Sequence, residues 1–434
     1  MPVQARHFHG VALNFALFRP PVQVPVMHLT KLPRLLLLLL LLASPFAYAD
    51  NNYPLVLVHG FMGWGRQELL GFKYWGGLGD LQEALNQAGY PTYTGVVGPF
   101  ASNWDRACEL YAYLKGGTVD YGQVHAATHG HNRYGRTFTG LYPDWGTADT
   151  SGRMRKIHLI GHSQGGQTVR VLTALLEQGA VVEQAATPTR ELSPLFQGGK
   201  PWVHSVTTLA APHDGTSIAV GIDTLLPFVR TSLLGFAALV GVQPDQLPYD
   251  FKLDQWGLRR EPGETLSAYL TRVEHSPIWQ SRDISGWDLS PDGAQELNGK
   301  FPAQPEVYYF SWATSATLPI WPFHHQVPIP TLLPQLWTSA LFIGAYSRNE
   351  PGHVTIDADW WENDGLVNTR SMAGPTLNSS DRIVPWRDPP QRGLWNDQGV
   401  LAGWDHMDIV GIGTLRDVRN WYLRLARTLA DLPP

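Results

Sequence analysis

The sequence predicts an α/β fold, a mainly parallel sheet flanked by helices, and three observations predict it. Short apolar runs recur at 54–58, 92–97, 156–160, 203–209 and 306–312, each of strand length. Helix-periodic stretches follow them at 78–88, 102–114, 164–178 and near 415–429. Strands alternating with helices are the pattern of parallel units covered on both faces. Finally, Gly161-His162-Ser163-Gln164-Gly165 stands directly behind the run Lys156-Ile157-His158-Leu159-Ile160 and ahead of the 164–178 helix. That strand–turn–helix context is where G-x-S-x-G marks a nucleophile elbow.

From the N-terminus, residues 35–42 are an unbroken leucine run, preceded by Lys31 and Arg34 and followed by Ala47-Tyr48-Ala49. A basic region, a short apolar core and an A-x-A site read as a secretory signal peptide over 1–49, cleaved after Ala49. The run is shorter than the roughly 20 apolar residues that span a bilayer, so no permanent membrane anchor is expected. The protein is then secreted, to the periplasm or the medium. Residues 1–26 make a long lead-in, and Met27 is an alternative start.

Residues 50–434 read as one domain, because no Pro/Ser/Gly linker divides them. Three stretches break the strand–helix rhythm, at about 119–155, 215–300 and 314–360, and insertions at loops are where such folds carry binding. Of 32 Lys and Arg, four leave with residues 1–49, so 28 bases face 37 acids in the mature chain. A net-acidic chain without a basic run offers no footprint for nucleic acid. A single cysteine, Cys108, excludes an intramolecular disulfide despite export. Something else must hold the long insertions.

A serine hydroxyl attacks only when a base takes its proton, and the base needs an orienting acid. In the α/β-hydrolase arrangement these partners follow in the order Ser, Asp or Glu, His. After Ser163 the histidines are His204, His213, His275, His324, His325, His353 and His406. Only His406, in Gly403-Trp404-Asp405-His406-Met407, precedes the last helix, where the base belongs. Asp364, in the turn sequence Glu362-Asn363-Asp364-Gly365, is the leading acid, with Asp357 and Asp359 as competitors. The oxyanion of an acyl transfer needs two N–H donors. Gln164, next after the nucleophile, supplies one, and Phe61, in Val58-His59-Gly60-Phe61 behind the first strand, supplies the other.

His125-Ala126-Ala127-Thr128-His129-Gly130-His131 packs three histidines into seven residues. Imidazoles with carboxylates are the donors zinc favours, while a polar histidine-rich loop is the alternative. His125 and His129 would share a helix face, but Gly130 and its surroundings argue for a loop. Between 218 and 242 the chain is almost uncharged, Asp223 and Arg230 excepted. Leu225, Leu226, Phe228, Val229, Leu233, Leu234, Phe236 and Val240 recur at roughly helical spacing there. The stretch reads as a helical lid over the site, or else as a core helix.

Several motifs together carry a family resemblance. His59-Gly60-Phe61, Phe72-Lys73-Tyr74-Trp75-Gly76-Gly77, Ser102-Asn103-Trp104-Asp105-Arg106-Ala107-Cys108-Glu109 and His162-Ser163-Gln164-Gly165-Gly166-Gln167 strongly resemble the thermoalkalophilic Bacillus and Geobacillus lipases, bacterial lipase family I.5. So do Pro212-His213-Asp214-Gly215-Thr216, Asp250-Phe251-Lys252-Leu253-Asp254-Gln255-Trp256-Gly257 and Glu362-Asn363-Asp364-Gly365. The likeness runs over nearly all of residues 53–429. It implies an α/β-hydrolase fold with a metal-binding insertion and a lid, and a secreted triacylglycerol lipase acting on triglyceride at an oil–water interface. It implies Ser163, Asp364 and His406 as catalytic triad, Phe61 and Gln164 as oxyanion donors, and structural Zn2+ on Asp105, His125, His131 and Asp254, with His129 outside. Gly161 stands where those lipases usually carry alanine, a change that reads as chemically neutral. The resemblance also implies Ca2+ near the catalytic histidine, with Asp408 as one ligand. Gly413 and Thr414 replace an Asp-Pro pair there, and the lost carboxylate weakens the case for calcium. A short-chain esterase or polyester depolymerase would use the same triad, and a non-catalytic lipid-binding protein is the alternative from another class.

Overall fold

Leu55-Val56-Leu57-Val58 is the shortest statement of why this chain folds as it does. Successive strand residues face opposite sides of a sheet. Val56 and Val58 enter one core, with Leu110, Leu159, Val169 and Leu172, while Leu55 and Leu57 enter a second, with Leu85, Ile160, Tyr422 and Leu429. A strand apolar on both sides belongs inside a sheet covered on both faces. The computed structural model describes residues 51–220 and 249–434. The leader expected at 1–49 and most of the lid expected at 218–242 lie outside the described residues.

The strands in chain order are β1 (Leu55–Val58), β2 (Thr92–Gly95), β3 (Gly117–Asp120), β4 (Tyr134–Phe138), β5 (Ile157–His162), β6 (Val203–Leu209), β7 (Tyr308–Ser315), β8 (Thr317–Pro319), β9 (Gln326–Pro328), β10 (Ile383–Pro385) and β11 (Trp395–Ala402). Seven of them form one sheet in the order β10-β11-β7-β6-β5-β1-β2, and every neighbouring pair is parallel. The helices that matter here are α1 (Leu81–Gln87), α2 (Asn103–Lys115), α3 (Gln123–His129), α4 (Gln164–Gln178), α5 (Trp337–Ile343) and α6 (Val418–Ala430). Side chains of α2 and α4 close the first core and those of α1 and α6 the second. The resulting architecture is the mainly parallel, helix-flanked sheet of an α/β hydrolase.

Six strands and the histidine-rich helix depart from the sequence reading: β3, β4, β8, β9, β10, β11 and α3. β10 and β11 join the sheet beside β7, although β11 reads Trp-Asn-Asp-Gln-Gly-Val-Leu-Ala and shifts register between Asp397 and Val400. That break destroys the alternation by which a strand is recognised. In the first insertion β3 and β4 form an antiparallel pair, and the histidine-rich segment between them is the helix α3, not a loop. Gly130 sits at its end with φ 79°, its N–H on the Ala126 carbonyl. The glycine that suggested a loop is the left-handed stop of a helix.

Candidate active site and metal centre

All seven strands point their C-terminal ends the same way, and that rim is where parallel sheets place chemistry. β5 ends at His162, and Ser163 takes φ 55°, ψ −132° before α4 begins at Gln164. Such a conformation is costly for a residue with a Cβ. It holds because Ser163 N–H donates to the Leu209 carbonyl at 2.9 Å and its own carbonyl accepts from Gly166 at 2.9 Å. The turn leaves no room around it. A Cβ on Gly60 would lie 2.6 Å from that of Ser163, and a Cβ on Gly161 would lie 2.4 Å from the Gly165 carbonyl. The glycine at 161 is therefore not a neutral change. This backbone closes on a bare Cα, and alanine would force it apart.

Asp364 follows β7 in chain order and His406 follows β11, and these two strands are neighbours. The structure brings the two residues together: His406 Nδ1 lies 2.7 Å from Asp364 Oδ2, and His406 N–H donates to the Asp364 carbonyl at 2.9 Å. Asp364 is fully buried and satisfied. Thr314 Oγ1 donates to Oδ2 at 2.7 Å, while Leu366 and Val367 N–H donate to Oδ1 at 3.0 and 2.8 Å. With Nδ1 held by the acid, Nε2 is the nitrogen left for other chemistry. The competitors Asp357 and Asp359 belong to a different turn, where the Asp357 carboxylate caps the Asp359 amide.

Of the two expected oxyanion donors, Gln164 follows Ser163 in the elbow and Phe61 follows Gly60, whose Cα closes on Ser163. Gln164 is the first residue of α4, where backbone N–H groups have no intrahelical acceptor. Its side chain is tied back, donating to Ala101 O at 3.1 Å and accepting from Ser285 Oγ at 3.0 Å. In the β1 loop, Gly60 N–H donates to Tyr74 Oη and Met62 N–H to Pro99 O. Among the described residues the Phe61 and Gln164 amides have no protein acceptor.

A relay the sequence did not announce joins these parts. His162 Nε2 lies 2.9 Å from the His406 carbonyl, which can only accept, so Nε2 carries the proton. Nδ1 is then the acceptor for Tyr74 Oη at 2.6 Å, and Tyr74 oxygen accepts from Gly60 N–H at 3.0 Å. Burial, with His406 adding to it, pushes His162 well below the usual histidine range and keeps the ring neutral. On the other side Arg106, buried in α2, donates to His59 O at 2.5 Å, Gly98 O at 2.8 Å and Thr168 Oγ1 at 2.8 Å. Burial lowers it to about 10, so it stays charged at neutral pH.

A second cluster of polar side chains lies around α2 and α3. Among the described residues, Asp105, His125, His131 and Asp283 bring one donor atom each to within 4.8 Å of one another. His125 Nε2 lies 3.2 Å from Asp105 Oδ1 and 3.2 Å from Asp283 Oδ1, and His131 Nε2 lies 3.0 Å from Asp283 Oδ2. These spacings match the roughly 3.3 Å edges of a tetrahedron with ligands about 2.0 Å from zinc. Asp105 Oδ1, Asp283 Oδ2 and both Nε2 atoms are buried without a hydrogen-bond partner. His131 Nδ1 is fixed on Asn132 O at 2.9 Å, and Gln255 donates to Asp105 Oδ2 at 2.8 Å, the outer bonds that orient metal ligands. The residues fit a metal.

Asp283, not Asp254, is the fourth member. Asp254 turns its carboxylate to Arg136, which also binds Asp250 at 2.7 Å. Only its neighbour Gln255 reaches the cluster. Asp283 follows His131 by more than 150 residues in an unremarked turn, and no spacing rule connects them. His129 stays outside, as expected. At the expected calcium position the Asp408 carboxylate takes Arg416 Nε at 3.2 Å, and Arg416 also donates to Gly403 O. A guanidinium already supplies the positive charge there, so these residues do not fit calcium.

The site is a strained strand–turn–helix elbow beside a buried His–Asp pair, and comparison with known proteins places the chain in a family. Residues 51–428 match the model of the lipase-like, C-terminal domain family, and the chain belongs to that family. It is 38% identical over 370 residues to a lipase of Staphylococcus epidermidis, covering 83% of this chain and 50% of the relative. The chain thus spans about half the length of the curated relatives it matches. Among solved structures it resembles lipase 1 from Pelosinus fermentans, at 52% identity and TM-score 0.83, covering 88% of this chain and 99% of that one. It also resembles EstA from Clostridium botulinum, at 45% identity and TM-score 0.84, covering 95% and 93%.

Proposed function

We propose that the protein is a triacylglycerol lipase of the I.5 type, made with a leader on residues 1–49 and secreted. The observation that carries the reading is Ser163 in its strained elbow on the same rim as the 2.7 Å His406–Asp364 pair. Ser163 Oγ attacks the ester carbonyl while His406 Nε2 takes its proton, and Asp364 stabilises the imidazolium. The tetrahedral oxyanion accepts N–H bonds from Gln164 and Phe61. Collapse expels the alcohol with the proton from His406, leaving an acyl-enzyme. Water then attacks, again through His406, and frees the fatty acid.

Zinc is the metal we assign to Asp105, His125, His131 and Asp283, since two imidazoles and two carboxylates fill a closed structural set. It ties α2, α3 and the Asp283 turn together in a chain without a disulfide and takes no part in the reaction. The test is acid release from emulsified trioctanoin and olive oil beside soluble tributyrin, with Ser163→Ala in parallel. Activity on the emulsions should fall by roughly 10⁴-fold or more in the variant. Activity confined to soluble tributyrin would make the protein an esterase, and activity that survives Ser163→Ala would refute the nucleophile.

A further inference from the structure

Between Glu306 and Arg348 the sequence has no charged residue at all. Much of that stretch is not core. β8 and β9 pair antiparallel, Leu318 opposite Val327, and their turn is closed by Ile320 N–H on His325 O at 2.9 Å and His324 N–H on Ile320 O at 2.8 Å. The side chains at the turn stand in solvent: Trp321 is 86% exposed, Phe323 69%, Leu318 58% and Ile320 44%. On α5, Trp337 and Leu341 are exposed too and share one face at i, i+4. Single exposed apolar residues are ordinary, but a cluster of this kind marks a contact surface.

The hairpin is rooted beside the candidate acid. Ala316 N–H donates to Asn363 O at 2.9 Å, Gln326 N–H to Gly344 O at 2.9 Å, and His325 packs edge-on against Trp361 at 4.8 Å. We propose that the β8–β9 turn, with Trp321 and Phe323 at its tip and Trp337 and Leu341 beside it, inserts into the surface of a neutral lipid phase and seats the enzyme there. The proposal rests on the lipase reading above.

The occupant follows from three physical points. A protein partner needs about 800 Å² per side for a stable interface. The turn and α5 together present three aromatic side chains at about 150–250 Å² each and three aliphatic ones about half exposed, which reach that area only if one partner covers every one of them completely. A lipid surface needs only depth, and indole and phenyl rings settle at the boundary between headgroup and acyl chain. Insertion also buries no charge, because the stretch has none to desolvate. With 28 bases against 37 acids the mature chain has no attraction to an anionic surface, so the phase is neutral: triglyceride or zwitterionic lipid.

Ser163→Ala protein, which consumes no substrate, is mixed with triolein droplets coated in phosphatidylcholine and the bound fraction read by flotation. Adding Trp321→Ser and Phe323→Ser should lower the partition coefficient at least tenfold, insensitively to 1 M NaCl. Trp337→Ser with Leu341→Ser, a second pair, should lower it less. In the active enzyme the first pair should cut the ratio of triolein to soluble p-nitrophenyl butyrate hydrolysis at least tenfold. Unchanged partition with melting temperatures intact would overturn the proposal. So would binding that requires anionic lipid and vanishes in salt, or a dimer lost in the variants while partition holds. Failure of the lipase reading looks different: no Ser163-dependent hydrolysis of either ester, with droplet binding still measurable.

Discussion

Tyr74 does at the scale of one residue what the sequence motif alone cannot. Its hydroxyl accepts from the Gly60 amide and donates to His162, whose other nitrogen holds the His406 carbonyl. One buried oxygen thus sets both the loop that carries Phe61 and the backbone of the candidate base. Tyr74→Phe leaves two buried polar groups unpaired, each at a cost of about 1–3 kcal/mol. We expect kcat on a soluble ester to fall roughly tenfold, about 1.4 kcal/mol in the barrier, with KM little changed. Tyr422→Phe is the control, since that buried hydroxyl serves only Ile409 O at 3.0 Å and its loss should cost stability and no kcat. Equal kcat in the two variants would show that Tyr74 is structural. Ser163 was legible because an elbow is local, and Asp364 and His406 because chain order narrows the choice. Tyr74 and Arg106 were not, since their roles depend on backbone carbonyls and amides brought close by folding.

At the scale of elements, the candidate metal cluster joins α2, α3 and the Asp283 turn, the last of which is also tied to the start of α2 by Ser285 N–H on Phe100 O at 3.0 Å and Asn103 N–H on Asp288 Oδ2 at 2.5 Å. Asp105 stands in the first turn of α2, whose cap Ser102 accepts the Asp105 amide at 3.1 Å. His125 lies on α3, stacked on Trp104 at 4.9 Å, and Asp283 comes from the far end of the second insertion. Asp283→Asn should abolish stoichiometric metal by elemental analysis, whereas Asp254→Asn should retain it and lose only the Arg136 pair. A metal at 100 times its Kd adds about 2.7 kcal/mol, on the order of 5 °C in a chain this size. Chelating wild type and making Asp283→Asn should therefore each lower the melting temperature by about that amount, and chelator should not lower the variant's further. Full metal in Asp283→Asn would remove the site. The spacing of His125, His129 and His131 left metal ligand or polar loop open, and only the family resemblance chose His125 and His131 with Asp105; Asp283 gave no signal, because a carboxylate in a loop has ordinary reasons to be there. α3 was missed for a similar reason, its end signal, Gly130, being also a loop signal.

On the scale of the whole molecule, the fold class was legible because both cores are written in strands apolar on each side, while β10 and β11 were hidden by polar composition. The same two-sided burial traps titratable groups. Burial pushes His59, His158, His162 and His213 well below the usual histidine range, and His204 to about 3. Each is neutral when folded and takes a proton near pH 6.5 when unfolded, so its contribution is complete above that pH and is lost as pH falls. Burial raises Glu109 and Asp288 to about 7 and Asp405 to about 6. These act oppositely, favouring the fold below about pH 4 and losing that support as pH rises to 6–7. Between about pH 4.5 and 6 the five histidines outweigh the three carboxyls, so these eight groups together lower stability on acidification. Metal release acts in the same direction, so the decisive quantity is a difference. His204→Leu should reduce the slope by about one proton, roughly 1.4 kcal/mol per pH unit. Urea unfolding at pH 5, 5.5 and 6 with saturating zinc measures it, and parallel slopes for variant and wild type would mean that His204 titrates alike in both states.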